Sequence, residues 1–253
     1  MPKVTVNGIR INYEEAGAGE ALILIHGLGF TRRHWALQVP VLSKYYRTMT
    51  PDCRGHGDSD KPAEQHTVRD LSEDLQRFMD RLCIGKAHVL GISMGGMVAQ
   101  LFAADHPQKV NKLVLCDTRS RPNPAFAKRL LHQIETLDPA ARAKMVFRDE
   151  ITYPVPEDIL RINQEDIERN PTDAYIRDLK AIMNFDATDR LKEIRAPTLI
   201  VVGDHDRLMD ECRFLNRQIQ GSRLAVISRA GHLSCLENPD EFNRVVLDFL
   251  RNQ

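Results

Sequence analysis

The stretch "HVLGISMGGMVAQLFA", residues 88–103, decides the fold, because it sets one serine, Ser93, between glycines where an apolar run hands over to a helix-like one. Two readings compete for that hydroxyl. As an N-cap, Ser93 would offer its oxygen to the free amides of the following helix, and glycines commonly flank such turns. As a nucleophile, it would sit on a strained strand-to-helix elbow, where G-x-S-x-G is needed because side chains at Gly91 and Gly95 would clash. A pattern this short is a weak filter, so the surrounding chain has to arbitrate.

Outward from Ser93, buried-strand signals alternate with helical ones. "ALILIH" at 21–26 is the continuous apolar run expected of a strand covered on both faces of a parallel sheet, and "AHVLG", "VNKLVLCD" and "PTLIVVGD" repeat it. Between two of them, "TVRDLSEDLQRFMDRL" lines up Val68, Leu71, Leu75, Phe78, Met79 and Leu82 on one helical face. Alternation of this kind gives right-handed βαβ units, an α/β fold with a mostly parallel sheet. At the start, Asn7-Gly8 joins "KVTVNG" to "IRINYEE" as a hairpin, since both residues tolerate positive φ. The rhythm breaks from Arg119 to Leu191, where charged helical segments such as "AFAKRLLHQIETL" and "DAYIRDLKAIM" replace strands. Residues 119–191 are therefore expected to form a helical cap (lid) inserted into a core of residues 1–118 and 192–253. Such a cap would lie over the carboxyl ends of the strands, where open α/β sheets bind ligands.

Composition narrows the function classes. The 253 residues are enough for one large core, and 42% apolar with 28% charged residues is ordinary for a globular protein. Thirty-five basic residues balance 35 acidic ones, so no global field draws the protein to nucleic acid or an anionic membrane. The opening residues show no secretory pattern, and no apolar run has the length of a membrane span. The five cysteines are scattered and never in C-x-x-C spacing, which argues against a disulfide framework or a zinc cluster. Reduced thiols in a cytoplasmic protein, monomeric or homodimeric, are expected.

Three further loops fall at strand ends. "HGLGF" follows "ALILI" and offers the Leu28 N–H, which with the Met94 N–H could face a developing oxyanion. "VVGDHDRLM" offers Asp204, His205 and Asp206, and "AVISRAGHLSCLENP" places His232 after Gly231. Ser93, Asp206 and His232 thus occur in the order serine, acid, histidine, each beyond a different strand, so that three loops converge on one rim. Asp117, also at a strand end, is the alternative acid.

Together "HGLG", "DCRGHGDSD", "GISMGG", "GDHD" and "AGHLSCLENP", in that order, resemble the α/β-hydrolase family, and the resemblance covers nearly the whole chain. Within it, "GISMGGMVAQLFAADHPQKVNKLVLCDT" and "GHLSCLENPDEF" are most similar to the 3-oxoadipate enol-lactonase and carboxylesterase group. One departure is the missing proline three residues after the acid in "GDHDRLM". The resemblance implies an eight-stranded sheet, Ser93 as nucleophile, Asp206 as acid, His232 as base, and Leu28 with Met94 as oxyanion donors. It also implies hydrolysis of a small carboxylic ester or lactone through an acyl-enzyme, with no metal or organic cofactor. A C–C bond hydrolase of meta-cleavage products would share this triad, and a small-molecule receptor could retain it. Phe30, Trp35 and Met97 are candidate pocket walls, and Arg119, Arg121, Lys128 and Arg129 candidate partners for an anionic substrate. Arg54, His56 and Asp58 are read as knitting their loop together.

Overall fold

Ala21–Ile25, five consecutive apolar residues, form β3 at the centre of an eight-stranded sheet. β3, β5 (Ala87–Ile92) and β7 (Thr198–Gly203) are buried along their whole length, as is the second half of β6 (Val110–Cys116). The other strands are β1 (Lys3–Val6), β2 (Ile9–Ala16), β4 (Arg47–Pro51) and β8 (Arg223–Ile227), and the spatial order is β1-β2-β4-β3-β5-β6-β7-β8. The six strands from β4 to β8 in that order run parallel. β1 and β2 are antiparallel and joined at Asn7 and Gly8, whose φ values of 45° and 80° are those of a two-residue hairpin. β4, "RTMTP", escapes a search for apolar runs because Met49 is flanked by Thr48 and Thr50, which are nonetheless buried. The coordinates are a computed structural model describing residues 2–252, and the side chain of Ala127 lies outside the described set.

Helices cover both faces. α1 (Val39–Leu42) is a single turn, and α2 (Val68–Arg81) buries Val68, Leu71, Leu75, Phe78 and Met79 as its periodicity predicts. Thr67 and Asp70 start α2 with reciprocal side-chain to backbone bonds. α3 (Met94–Asp105) is buried from Met94 to Ala104. Between β6 and β7 lie α4 (Pro124–Thr136), α5 (Pro139–Glu150), α6 (Glu157–Arg169) and α7 (Thr172–Met183). α8 (Met209–Gln218), α9 (Ser234–Glu237) and α10 (Pro239–Arg251) complete the chain. Among the described residues no helix is long and apolar enough to cross a membrane.

The junction of β5 and α3 is the tightest point of the fold. A Cβ on Gly95 would lie 2.2 Å from the carbonyl oxygen of Ile25 and 2.7 Å from that of His26. One on Gly91 would lie 2.2 Å from the carbonyl oxygen of Gly95. These neighbours are backbone atoms and cannot swing aside. Gly95→Ala is therefore expected to cost more than about 2 kcal/mol in urea denaturation, against no more than about 0.5 kcal/mol for Gly85→Ala, whose added methyl meets nothing. Equal stabilities of the two variants would contradict this account of the elbow.

Candidate active site

The elbow delivers one hydroxyl to the carboxyl end of the sheet. Ser93 takes φ 52° and ψ −115°, a strained conformation for a residue with a side chain. It is over-determined by its neighbours: the Ser93 N–H donates to the Cys116 carbonyl at 2.9 Å, while the Ser93 carbonyl accepts from Thr118 Oγ1 at 2.7 Å and from the Met97 N–H at 3.2 Å. With its backbone so bound, Ser93 makes no side-chain cap of α3. Its Oγ lies 3.1 Å from His232 Nε2 instead. On the other side of the ring, His232 Nδ1 lies 3.1 Å and 3.2 Å from the two carboxylate oxygens of Asp206.

Three loops converge here, and each is fixed by its own bonds. Asp206 Oδ1 accepts from the Leu208 N–H at 3.0 Å, and the His232 N–H donates to the Glu150 carbonyl at 3.2 Å. Glu237 straps the histidine loop to the segment after α5: one of its oxygens takes the N–H groups of Thr152 and Tyr153, the other those of Gly231 and Leu233. The alternative acid, Asp117, is buried and spends its oxygens on the Gly203 N–H, the Ser234 N–H and the Ser234 hydroxyl. Burial, then the nearby Asp206, pushes the Asp117 carboxyl well above the usual range. Burial also works against the Asp206 carboxylate, but the His232 ring and the Leu208 N–H outweigh it and hold that group below the usual range.

Two backbone N–H groups, Leu28 in the loop after β3 and Met94 at the start of α3, are the expected oxyanion donors. Among the described residues neither the Leu28 nor the Met94 N–H finds a main-chain acceptor. Imidazole nitrogens set the loop around Leu28: His56 Nε2 accepts the Gly29 N–H at 3.0 Å, and His26 Nε2 accepts the Cys53 N–H at 3.0 Å. Burial, reinforced by the adjacent His56, lowers His26 to about 3, so that ring stays neutral. Arg54 pairs with Asp74 and Asp58 with Arg32, in keeping with a loop held together by its own polar residues. No three His, Cys, Asp or Glu side chains among the described residues converge to hold a metal ion.

Residues 22–245 match the Alpha/beta hydrolase family. The chain belongs to that family. A 2-hydroxy-6-oxo-6-phenylhexa-2,4-dienoate hydrolase of Comamonas testosteroni is 32% identical over 267 residues, covering 96% of this hydrolase and 92% of that protein. The 3-oxoadipate enol-lactonase 2 of Acinetobacter baylyi is 28% identical over 252 residues, covering 96% and 94%. The crystal structure of the enol-lactonase from Burkholderia xenovorans superposes with a TM-score of 0.92 at 29% identity, covering 99% of this chain and all of that one.

Above Ser93 the hydrolase has a cavity of about 340 Å³ bounded by the sheet loops and by α4, α5 and α7. Phe30 lines it, beside Leu28 and Tyr175. Other expectations for the pocket are corrected. Trp35 and Met97 are buried in the core and do not line the cavity. Arg119 is buried with its guanidinium turned to the carbonyls of Arg121 and Ile182, because a buried cation has to satisfy its donors locally. Arg121 pairs with Glu211 through two bonds and stacks on Phe214, 4.2 Å from the ring centre, so it too faces away. The basic groups lining the cavity are Arg129 and Arg207. Arg207 was not singled out by sequence, although it directly follows Asp206. Glu150, at the end of α5, had no sequence signal at all.

Burial lowers the affinity of the His232 ring for a proton, but the Asp206 and Glu150 carboxylates more than offset it and raise His232 to about 9. The protonated ring therefore adds stability that is fully present below the ordinary value of about 6.5 and is lost as pH climbs through about 9. An NMR titration of the ring nitrogens is expected to place its midpoint far above 6.5. A midpoint at or below the ordinary value would contradict the charge arrangement.

Proposed function

We propose that this hydrolase cleaves small carboxylic esters or lactones, with Ser93 as nucleophile, His232 as general base and Asp206 as the acid that orients it. The observation that carries the reading is the unbroken run from Ser93 Oγ to His232 Nε2 and from His232 Nδ1 to Asp206, at the floor of a cavity. A serine hydroxyl is a poor nucleophile at neutral pH unless a base takes its proton as it attacks. Here the proton passes from Oγ to Nε2 while Oγ adds to the carbonyl carbon. The Leu28 and Met94 N–H groups hold the resulting oxyanion, a term worth several kcal/mol in related chemistry. Collapse of the tetrahedral species breaks the C–O bond, and Nε2 returns the proton to the leaving alkoxide. Water, deprotonated by the same nitrogen, then frees the acyl group from Ser93. In a lactone the alcohol stays part of the acyl chain throughout, and the second step releases a hydroxy acid.

Residues 119–191 serve in this reading as a cap that limits substrate size, since a cavity of about 340 Å³ is at the small end for ligand pockets. Arg129 supports an anionic substrate. It lines the cavity, rests on the Phe126 ring 5.5 Å from its centre, and has no ion-pair partner among the described residues. A second reading, cleavage of a C–C bond in a dienoate, draws on the name of the Comamonas relative. Turnover of a meta-cleavage product faster than of any ester or lactone would favour it.

Ser93→Ala is expected to fold normally and to lose about 10⁴-fold or more in p-nitrophenyl acetate hydrolysis, and a serine-directed phosphonate should add its mass to Ser93 in the parent enzyme. Asp206→Asn should cost nearly as much, through the wrong tautomer of His232, and Asp117→Asn far less. Activity surviving in Ser93→Ala, or the opposite ranking of the aspartates, would overturn these roles. Arg129→Ala is expected to raise KM at least about tenfold for a carboxylate-bearing lactone and to leave a neutral lactone little changed, as loss of one charge-assisted pair requires. Equal effects on both lactones would remove Arg129 from substrate recognition.

A further inference from the structure

The inserted helices bring a second carboxylate to the catalytic histidine. Glu150, the last residue of α5, binds the histidine loop through its carbonyl, which accepts the His232 N–H at 3.2 Å. Its side chain returns to the same residue, with Oε2 3.8 Å from His232 Nε2. That is beyond hydrogen-bond length, whereas Ser93 Oγ holds the same nitrogen at 3.1 Å. Both Glu150 oxygens are occupied by the fork of Arg207, at 2.5 Å from Nη1 and 2.9 Å from Nη2. Arg207 is steadied in turn by Phe126, whose ring centre is 5.0 Å from its guanidinium carbon. Glu150, Arg207 and His232 all line the cavity above Ser93.

We propose that Glu150, clamped by Arg207, is a positioning residue for His232: it favours the imidazolium formed during acylation, while the clamp keeps it from taking the nitrogen that Ser93 needs. The proposal rests on His232 being the general base. When the ring gains the Ser93 proton, its positive charge lies between Asp206 on the Nδ1 side and Glu150 on the Nε2 side. A bidentate guanidinium pair resists rotation of the carboxylate, so Glu150 acts on the ring through its field without bonding to it. Freed from Arg207, the same carboxylate could swing onto the Nε2 proton and compete with Ser93 and the leaving alkoxide.

The other groups facing the ring do not duplicate this role. Asp206, from the loop after β7, occupies Nδ1. Asp117, at the end of β6, is raised by burial toward its neutral form and bonds to Gly203 and Ser234. His34, in the 3₁₀ turn Arg32–Trp35, is lowered by burial to about 4 and stays uncharged at neutral pH. The charged neighbours are thus Asp206, Glu150 and Arg207, and Glu150 raises the proton affinity of His232 while Arg207 lowers it.

The two members of one ion pair should therefore act in opposite directions. In pH profiles of kcat/KM for p-nitrophenyl acetate, Glu150→Gln is expected to move the rising limb down by about one pH unit. Arg207→Gln is expected to move it up and to lower kcat/KM at pH 8 at least about fivefold, because the freed carboxylate holds the Nε2 proton. The double variant should recover that rate, since the competitor is gone. An ion pair acting only as packing would shift both single variants the same way, if at all, and the double variant would recover nothing. Same-sign shifts or no recovery would each overturn the proposal, as would unchanged limbs together with an unchanged ring midpoint. NMR titration of the His232 ring in the Ser93→Ala background separates this outcome from failure of the general-base role. A ring midpoint that falls in Glu150→Gln while the kinetic limb stays fixed supports the action of Glu150 on the ring and faults the assignment of the base.

Discussion

Contact between backbone and backbone at the elbow is the constraint on which the rest of the hydrolase depends. α3 can start directly beneath the carbonyls of Ile25 and His26 only because Gly95 has no side chain, and β5 can turn into α3 only because Gly91 has none. The helix is thereby seated against two strands at once. The peptide entering it is forced into the positive-φ geometry of Ser93, which lifts the hydroxyl clear of the sheet. Strain of this kind persists only where the surroundings leave no alternative, and here the bonds to Cys116, Thr118 and Met97 supply that restraint.

Charge distribution in the cavity follows a different logic. Three groups beside the sheet's carboxyl end have their ionisation settled by burial: His26 and His34 are kept neutral, and Asp117 is pushed the same way. The inserted helices contribute Arg129 and Glu150, which sit where solvent and substrate can reach them. Buried polar groups thus fix the geometry of the floor, and half-exposed ones set the field above it.

Much of the architecture was readable from the chain because it rests on local rules. Continuous apolar runs named the central strands, the period of α2 named its buried face, and Asn7-Gly8 named the hairpin. Ser93, Asp206 and His232 were each marked by a strand-end loop, and those three side chains meet. What escaped was whatever depends on packing rather than pattern. β4 hides buried threonines in a polar-looking run. Arg119 and Arg121 lie just past β6, but chain position says nothing of direction, and each guanidinium turned to the nearest carbonyls or carboxylate. Glu150, Arg207 and Phe126 are distant in sequence and meet only when α4 and α5 settle onto the loop after β7.

The strap made by Glu237 bears on how such an enzyme can diversify. One carboxylate ties the segment after α5 to both sides of His232, so the insertion is not an interchangeable part bolted between two strands. α4 meets the cavity through Phe126, Arg129, Leu130 and Gln133. The stretch from Glu150 to Tyr153 has to present its carbonyl and its amides at fixed points whatever the helices around it become. Recombination that spares this stretch can exchange specificity while leaving the histidine in place. A crossover within it would detach the wall and the histidine together.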